Sequence, residues 1–266
     1  MFYSHHDITS VTSAGLKRGV KQLERYRKQV KSVVQKNTHS KPEYALAHVK
    51  QPALHDTLEK LAKDFREVEH VILIGIGGSN LGTEAVHEVL GAGKVTLHTI
   101  DTIAAYNIKT VLGAVKRIRN VKKLAVCVVS KSGNTTETLV NAGVVLEALE
   151  KQFKKAIYTQ TIFIGDPKTK FMQAGKRLKV HTIPMPEVAG GRYSVATEVG
   201  LVPLALLRHD TDSFMAGIVD ATNEEFESLV AEGAVRVNHY LNKNFKHYNF
   251  FAFDPRLAKL GEWYRQ

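Results

Sequence analysis

Five short apolar runs rich in β-branched residues, separated by segments of helical periodicity, constrain the fold of this 266-residue chain most strongly. They are residues 71–75, 95–100, 124–129, 161–165 and 179–183. Apolar runs that alternate with helices are typical of parallel strands, because helices then cover both faces of the sheet. The pattern predicts an α/β fold with a doubly wound, five-stranded parallel sheet and flanking helices.

The sequence outside this pattern is mostly helical in character. We expect an N-terminal helical extension over residues 1–47, the α/β domain over residues 48–208 and a helical segment over residues 209–266. The last stretch places Leu257, Leu260 and Trp263 on one helical stripe, and no glycine or proline stop signal follows it. We therefore expect residues 209–266 to lead toward a second domain that this sequence does not contain.

The sequence argues against a membrane protein, an intramolecular disulfide and a cysteine metal site. No apolar run reaches the roughly 18 residues that span a bilayer, and the N-terminus lacks the order of a signal peptide. We expect a cytoplasmic protein without a membrane partner. Cys127 is the single cysteine and lies in an apolar run, which predicts a buried strand residue.

The formal net charge of +11 indicates an anionic partner, either a nucleic acid or a small molecule. Many basic residues lie in residues 15–34, where Leu16, Val20, Leu23 and Val30 keep helical spacing. An RNA-binding helix is the alternative, but no aromatic set for base stacking accompanies the charge. We interpret the segment as the solvated face of an amphipathic helix and expect no nucleic-acid partner.

The first candidate binding element is the glycine loop, residues 75–82, which reads G-I-G-G-S-N-L-G between a strand and a helix. Glycines let a backbone approach a ligand closely, and a helix N-terminus offers N–H groups to an anion. A dinucleotide fingerprint is one alternative, supported by Asp101 after the next strand, but Asn80 occupies its third glycine position. A tight turn without a ligand is the other alternative.

The second element is the serine loop, residues 130–138, which reads S-K-S-G-N-T-T-E-T. Its hydroxyls and lysine lie at a strand-to-helix turn, where the helix dipole favours an anion by about 0.3–1 kcal/mol. The loop predicts a phosphate cradle that needs no metal. A capping box made by Asn134 and Glu137 is the alternative, although it leaves the serine and threonine hydroxyls unexplained.

The third element is the arginine loop, residues 190–196, which reads G-G-R-Y-S-V-A and precedes a strongly apolar stretch that predicts a buried segment. An arginine on such a loop can stabilise negative charge that develops on a substrate oxygen. The alternative is that Arg192 pairs with a carboxylate in the core.

The serine loop resembles the phosphosugar-binding signature of sugar isomerase domains, S-x-S-G-x-T-x-E-T. The motifs G-I-G-G-S and G-G-R-Y-S-V narrow the resemblance to the phosphoglucose isomerase family. Two residues depart from the family pattern: Ala189 replaces a larger aliphatic residue, and Glu198 replaces a small one.

The resemblance implies that residues 48–208 form the first sugar isomerase domain of an aldose–ketose isomerase. Such an enzyme interconverts glucose 6-phosphate and fructose 6-phosphate through a cis-enediolate, without a metal or another cofactor, in glycolysis and gluconeogenesis. Arg192 is the implied catalytic residue. The implied substrate-binding residues are Gly78, Ser79, Ser130, Lys131, Ser132, Thr135, Thr138, Gly191 and Gln266.

The family's general base is a glutamate that follows the segment matched here by Trp263–Gln266, at the end of this sequence. The resemblance therefore implies only the N-terminal half of the enzyme, inactive alone, with a homodimer or a separate C-terminal half as possible partners. The alternative function is a non-catalytic module that binds a sugar phosphate.

Overall fold

The computed structural model of the chain describes residues 11–91, 93–187 and 190–266. Ala189, one of the two departures from the family pattern, lies outside these residues. Within the described ranges, no helix combines the length and the apolar character that crossing a bilayer requires.

The sheet has five parallel strands in the order β2-β1-β3-β4-β5, which confirms the predicted fold class. The strands are β1 His70–Ile74, β2 Thr96–Ile100, β3 Leu124–Val129, β4 Thr161–Gly165 and β5 His181–Pro184. The β5 strand begins two residues later than predicted, because Lys179 ends the preceding helix in a left-handed conformation with φ of 60°.

Helices account for most of the remaining structure. In chain order they are α1 Ser13–Gln22, α2 Glu24–Lys36, α3 Ala45–His48, α4 Pro52–Asp64, α5 Leu81–Leu90, α6 Ala105–Val115, α7 Thr136–Phe153, α8 Lys170–Leu178, α9 Glu198–Leu206, α10 Thr211–Asp220, α11 Glu224–Asn242 and α12 Ala258–Arg265.

Two hydrophobic cores lie on opposite faces of the sheet, because successive strand side chains point to opposite sides. Leu73 and Cys127 face the core that also contains side chains of α4, α9 and α10. Ile72 and Val126 face the core shared with α6, α7 and α8. Cys127 is fully buried as predicted, and burial raises the pKa of its thiol.

Helix α9 is buried along its whole length, as its apolar sequence predicts. The basic segment forms α1 and α2, and α2 is attached to α11 through one carboxylate. Glu227 accepts from Arg27 Nε and lies 2.9 Å from Lys31 Nζ as well, with its side chain 15% exposed. Part of the positive charge in this segment is therefore neutralised within the chain.

Two pairs of buried or half-buried histidines connect separate elements. His70 Nδ1 lies 3.1 Å from His98 Nε2 on the neighbouring strand, and His87 Nδ1 lies 2.8 Å from His209 Nε2. Burial lowers the pKa of His87, His98 and His209, and for His98 and His209 the charge of the partner imidazole adds to the effect.

These lowered pKa values predict that the protein becomes less stable in mild acid. An unfolded histidine, with its ordinary pKa of 6.5, binds a proton more readily than the buried one. The stabilisation is therefore complete above about pH 6.5 and is lost as the pH falls below that value toward the lowered folded pKa. We expect the denaturant midpoint to fall between pH 7.5 and pH 5.5.

The variant His98→Gln should show a smaller fall, because it removes one of the shifted groups. The variant His247→Ala, which changes an exposed histidine, should keep the full pH dependence. Equal pH dependence in the parent and in His98→Gln would contradict the assignment.

Candidate functional site

The strand order reverses between β1 and β3, since β2 lies on one side of β1 and the later strands lie on the other. In open doubly wound sheets, ligands bind outside the carboxyl ends of the strands at such a reversal. The glycine loop follows β1 and the serine loop follows β3. Both predicted binding loops therefore lie where this topology favours a ligand.

The glycine loop is folded tightly enough to need its glycines. Gly77 has φ of 62°, a left-handed conformation that favours glycine, and begins the 3₁₀ turn Gly77–Ser79. A Cβ placed on Gly75 would lie 2.8 Å from the Cβ of Ser79. The loop then passes into α5 at Leu81, so the backbone of Gly78 and Ser79 stands next to a helix N-terminus.

The glycine loop and the arginine loop touch through their backbones. A Cβ on Gly78 would collide with the carbonyl carbon of Gly191 and the amide nitrogen of Arg192. Ser194 Oγ donates to the carbonyl oxygen of Gly191 at 2.6 Å and lies 3.3 Å from that of Gly78. Sequence analysis identified both loops, and the structure brings them together with no side chain between Gly78 and Gly191.

Helix α12 lies against both of these loops. Trp263 Nε1 donates to the carbonyl oxygen of Arg192 at 2.9 Å, and Arg192 Nη1 donates to that of Gln266 at 2.7 Å. The side-chain amide of Gln266 lies where a Cβ on Gly77 would project. Arg192 is exposed and donates to the main-chain oxygen of Gln266, and among the described residues it does not make the ion pair with a core carboxylate that the alternative interpretation required.

The serine loop packs against the loop that follows β4. The amide of Asp166 donates to the carbonyl oxygen of Lys131 at 3.2 Å, and Gly133 has φ of 61° where a side chain would meet Thr169. The capping box of Asn134 and Glu137, which was the alternative interpretation, does not form. The N-cap of α7 is Thr135, whose side chain makes no capping hydrogen bond, while Ser132 Oγ accepts from the amide of Asn134 at 3.2 Å.

The hydroxyls of the serine loop differ in exposure. Ser132 is exposed and Thr135 half-buried, whereas Ser130 and Thr138 are 2% and 1% exposed. Ser130 Oγ has no hydrogen-bond partner among the described residues. A buried hydroxyl without a partner costs about 1–3 kcal/mol, so this atom would be stabilised by a hydrogen-bond partner, such as a water or a ligand oxygen.

Sequence analysis missed a polar network next to the glycine loop. Glu84 on α5 is buried and contacts Asn80 and Lys259. The only signal in the sequence was an acidic residue on an otherwise apolar side of a helix. Within the part of the chain that the structure describes, no cluster of three or more histidine, cysteine or carboxylate side chains could hold a metal ion.

These features define a class of protein: a doubly wound α/β chain whose glycine and arginine loops meet beyond the strand ends, where the strand order reverses. The model of one family, phosphoglucose isomerase, matches residues 17–263. The chain belongs to the phosphoglucose isomerase family.

Two bacterial enzymes illustrate the relationship. The glucose-6-phosphate isomerase of Thermus thermophilus is 31% identical over 204 residues, which are 75% of this chain and 48% of that protein. The Clostridium novyi enzyme of the same name is 33% identical over 232 residues, which are 79% of this chain and 50% of that protein. The chain thus spans about half the length of the curated relatives it matches.

Solved structures show the same fold. A hypothetical protein from Thermus thermophilus superposes with a TM-score of 0.74 at 26% identity, over 95% of this chain and 61% of that one. A glucose-6-phosphate isomerase from Chlamydia trachomatis superposes with a TM-score of 0.64 at 18% identity, over 83% of this chain and 48% of that one. The second likeness is one of fold alone.

Proposed function

We propose that this chain is the sugar-phosphate-binding half of an isomerase that interconverts glucose 6-phosphate and fructose 6-phosphate. The observation that carries the proposal is the meeting of the glycine and arginine loops, next to the serine loop, at the reversal of the strand order. The names of the relatives support the reaction. This chain covers only about half the length of those relatives. We therefore propose the activity of the whole enzyme for a larger assembly that contains this chain.

The phosphate group would bind at the serine loop. Helix α7 begins there without a side-chain cap, so its first amides are open to an anion together with the exposed Ser132 and the half-buried Thr135. Lys131 would add positive charge. Ser79 and the backbone of Gly78 would contact the substrate from the glycine loop. That loop follows β1, the strand next to β3.

The buried pair Ser130 and Thr138 has a different part in this proposal. Ser130 Oγ would reach the phosphate only through a water or a small movement of the loop, because the atom is shielded from solvent. Thr138 would support the first turn of α7 from inside. We therefore rank Ser132 and Thr135 above them as direct contacts.

The reacting end of the sugar would lie at the arginine loop. An arginine remains protonated at every useful pH, so Arg192 would stabilise the negative charge of the enediolate and could not remove a proton. Gly191 would give the substrate close access to the backbone, and Gln266, which already contacts Arg192, would line the same side. The general base would come from family sequence beyond these residues.

Calorimetry with 6-phosphogluconate tests the phosphate site. The double variant Ser132→Ala/Thr135→Ala removes two hydroxyls that would donate to an anion, and we expect it to bind at least about tenfold more weakly. The control Ser40→Ala/Thr57→Ala removes two hydroxyls outside all three loops and should bind like the parent. Equal affinity in the parent and in the serine-loop variant would contradict the site.

A further inference from the structure

Glu84 is a buried carboxylate with a partner for each oxygen. It lies in the first turn of α5, and its side chain is 7% exposed. Oε1 accepts from Asn80 Nδ2, and Oε2 lies 2.9 Å from Lys259 Nζ. Because an unpaired buried carboxylate is strongly disfavoured, this residue depends on keeping both contacts.

On one side, Glu84 contacts Asn80 of the glycine loop. Asn80 is 1% exposed and stands at the N-cap of α5, yet its side chain makes no capping hydrogen bond and instead donates to Glu84. Its Oδ1 remains without a hydrogen-bond partner among the described residues. The amide is thus held in the orientation that Glu84 imposes, and the backbone amide of Asn80 closes the turn by donating to the carbonyl oxygen of Gly77.

On the other side, Glu84 fixes α12. Lys259 Nζ contacts Glu84 and, at 3.0 Å, Glu262. Burial disfavours the charged ammonium, but hydrogen bonds to the two carboxylates outweigh it and raise the pKa of Lys259. Lys259 therefore stays charged, and α12 is held on α5 by an ion pair that is mostly shielded from water.

The same helix contacts the arginine loop one turn later. Trp263 Nε1 donates to the carbonyl oxygen of Arg192, and Trp263 also packs 3.6 Å from the position of a Cβ on Gly82. Contacts thus link Asn80 through Glu84 to Lys259 on α12, and the same helix carries Trp263, which contacts the peptide of Arg192.

We propose that Glu84 is a positioning residue that holds the glycine loop and the arginine loop in register through α12. The residue does not touch the proposed substrate. It determines where Arg192 and the Gly77–Ser79 turn stand relative to each other, and its partner Lys259 is required for that effect. Only the ligand-binding part of the following test rests on the proposed function.

Trp263 is the single tryptophan of the chain, so its fluorescence reports the position of α12 without any ligand. In Glu84→Gln and in Lys259→Met, we expect the emission to shift to longer wavelength and acrylamide to quench it more strongly. Affinity for 6-phosphogluconate should fall about tenfold in both variants, because the glycine loop and the arginine loop would no longer be held in position together. Lys259→Arg should restore both signals, because it returns a cation to Glu84.

The matched control is Glu59→Gln/Lys63→Met, which removes an exposed ion pair on α4 and should change neither signal. If Glu84→Gln does not fold, Lys259→Met decides the question, since that side chain is 27% exposed. Unchanged emission and affinity in the folded variants would overturn the proposal. If the parent binds no sugar phosphate, the proposed function fails while the emission of Trp263 still tests the role of Glu84.

Discussion

A polypeptide of residues 1–266 is expected to bind a sugar phosphate and yet to show no enzyme-like isomerisation of glucose 6-phosphate. Proton transfer between adjacent carbons needs a base within hydrogen-bond reach, and a positioned base contributes about 10²–10⁴ in rate. Arg192 cannot supply that base. A coupled assay for fructose 6-phosphate on the purified polypeptide measures the rate. Turnover at an enzyme-like rate would mean that a base lies within these residues.

Joining this polypeptide to the C-terminal half of the Thermus thermophilus relative should restore turnover. In that active form, Arg192→Ala should lower kcat by about 10²–10³, the usual loss when one donor to a developing oxyanion is removed. The control Arg117→Ala changes an exposed arginine just after the C-terminal end of α6 and should leave kcat unchanged. A loss confined to KM would show that Arg192 only binds the substrate. If the joined protein folds and binds the sugar phosphate but never turns over, the non-catalytic module is favoured.

The buried pair His48–Glu198 should give the second large effect, on stability. His48 Nε2 lies 3.0 and 3.1 Å from the two carboxylate oxygens, and both side chains are 11% exposed. Removing His48 leaves the carboxylate of Glu198 buried and unpaired, which costs about 3–5 kcal/mol. We expect a loss of this size in the free energy of unfolding for His48→Leu, and a smaller loss for Glu198→Ala, because His48 keeps its contact with Tyr44 there.

The double variant His48→Leu/Glu198→Ala should recover most of that stability, because apolar residues often replace a buried polar or charged pair at little cost. Lys151→Met breaks an exposed pair on α7 and should lose less than about 1 kcal/mol. Denaturant titration with an unchanged m-value measures all four variants. A double variant as unstable as the worse single variant would show that the pair cannot be exchanged for apolar packing.

This pair also explains the departure at Glu198. The carboxylate lies in the first turn of α9, where a negative charge is favourable, directly after the arginine loop. Tyr44 completes the cluster, with its hydroxyl 3.4 Å from His48 Nδ1. Its pKa is raised, mainly by burial and then by the charge of Glu198. The chain thus accommodates an acidic residue by supplying a histidine from α3.

Local sequence patterns predicted the features that depend on neighbouring residues. The five strands follow from β-branched runs, and the serine loop follows from its density of hydroxyls at a strand end. The prediction for β5 began too early because apolar character does not show that Lys179 would end a helix in a left-handed conformation. The alternative of a capping box at Asn134 and Glu137 is not found, because Thr135, one residue later than Asn134, is the N-cap of α7.

Features that depend on distant residues could not be predicted. The stripe containing Trp263 indicated a helix, but nothing local identified Arg192 as its partner or paired Lys259 with Glu84. The pattern of the serine loop likewise could not distinguish the exposed Ser132 from the buried Ser130. Which hydroxyl faces inward is set by the packing of β3 against β1 and β4.

The contact of the glycine loop with the arginine loop has a consequence for the order of assembly. Ser194 reaches the carbonyl oxygen of Gly78 across 116 positions of sequence. A contact between residues so far apart forms only after the intervening chain has lost much of its conformational freedom, so local helices and adjacent strands precede it. During synthesis, four more strands and the arginine loop must therefore be made before the Gly77–Ser79 turn can form its contact with Ser194. The proposed ligand site is therefore completed late in folding, only after the whole sheet has formed.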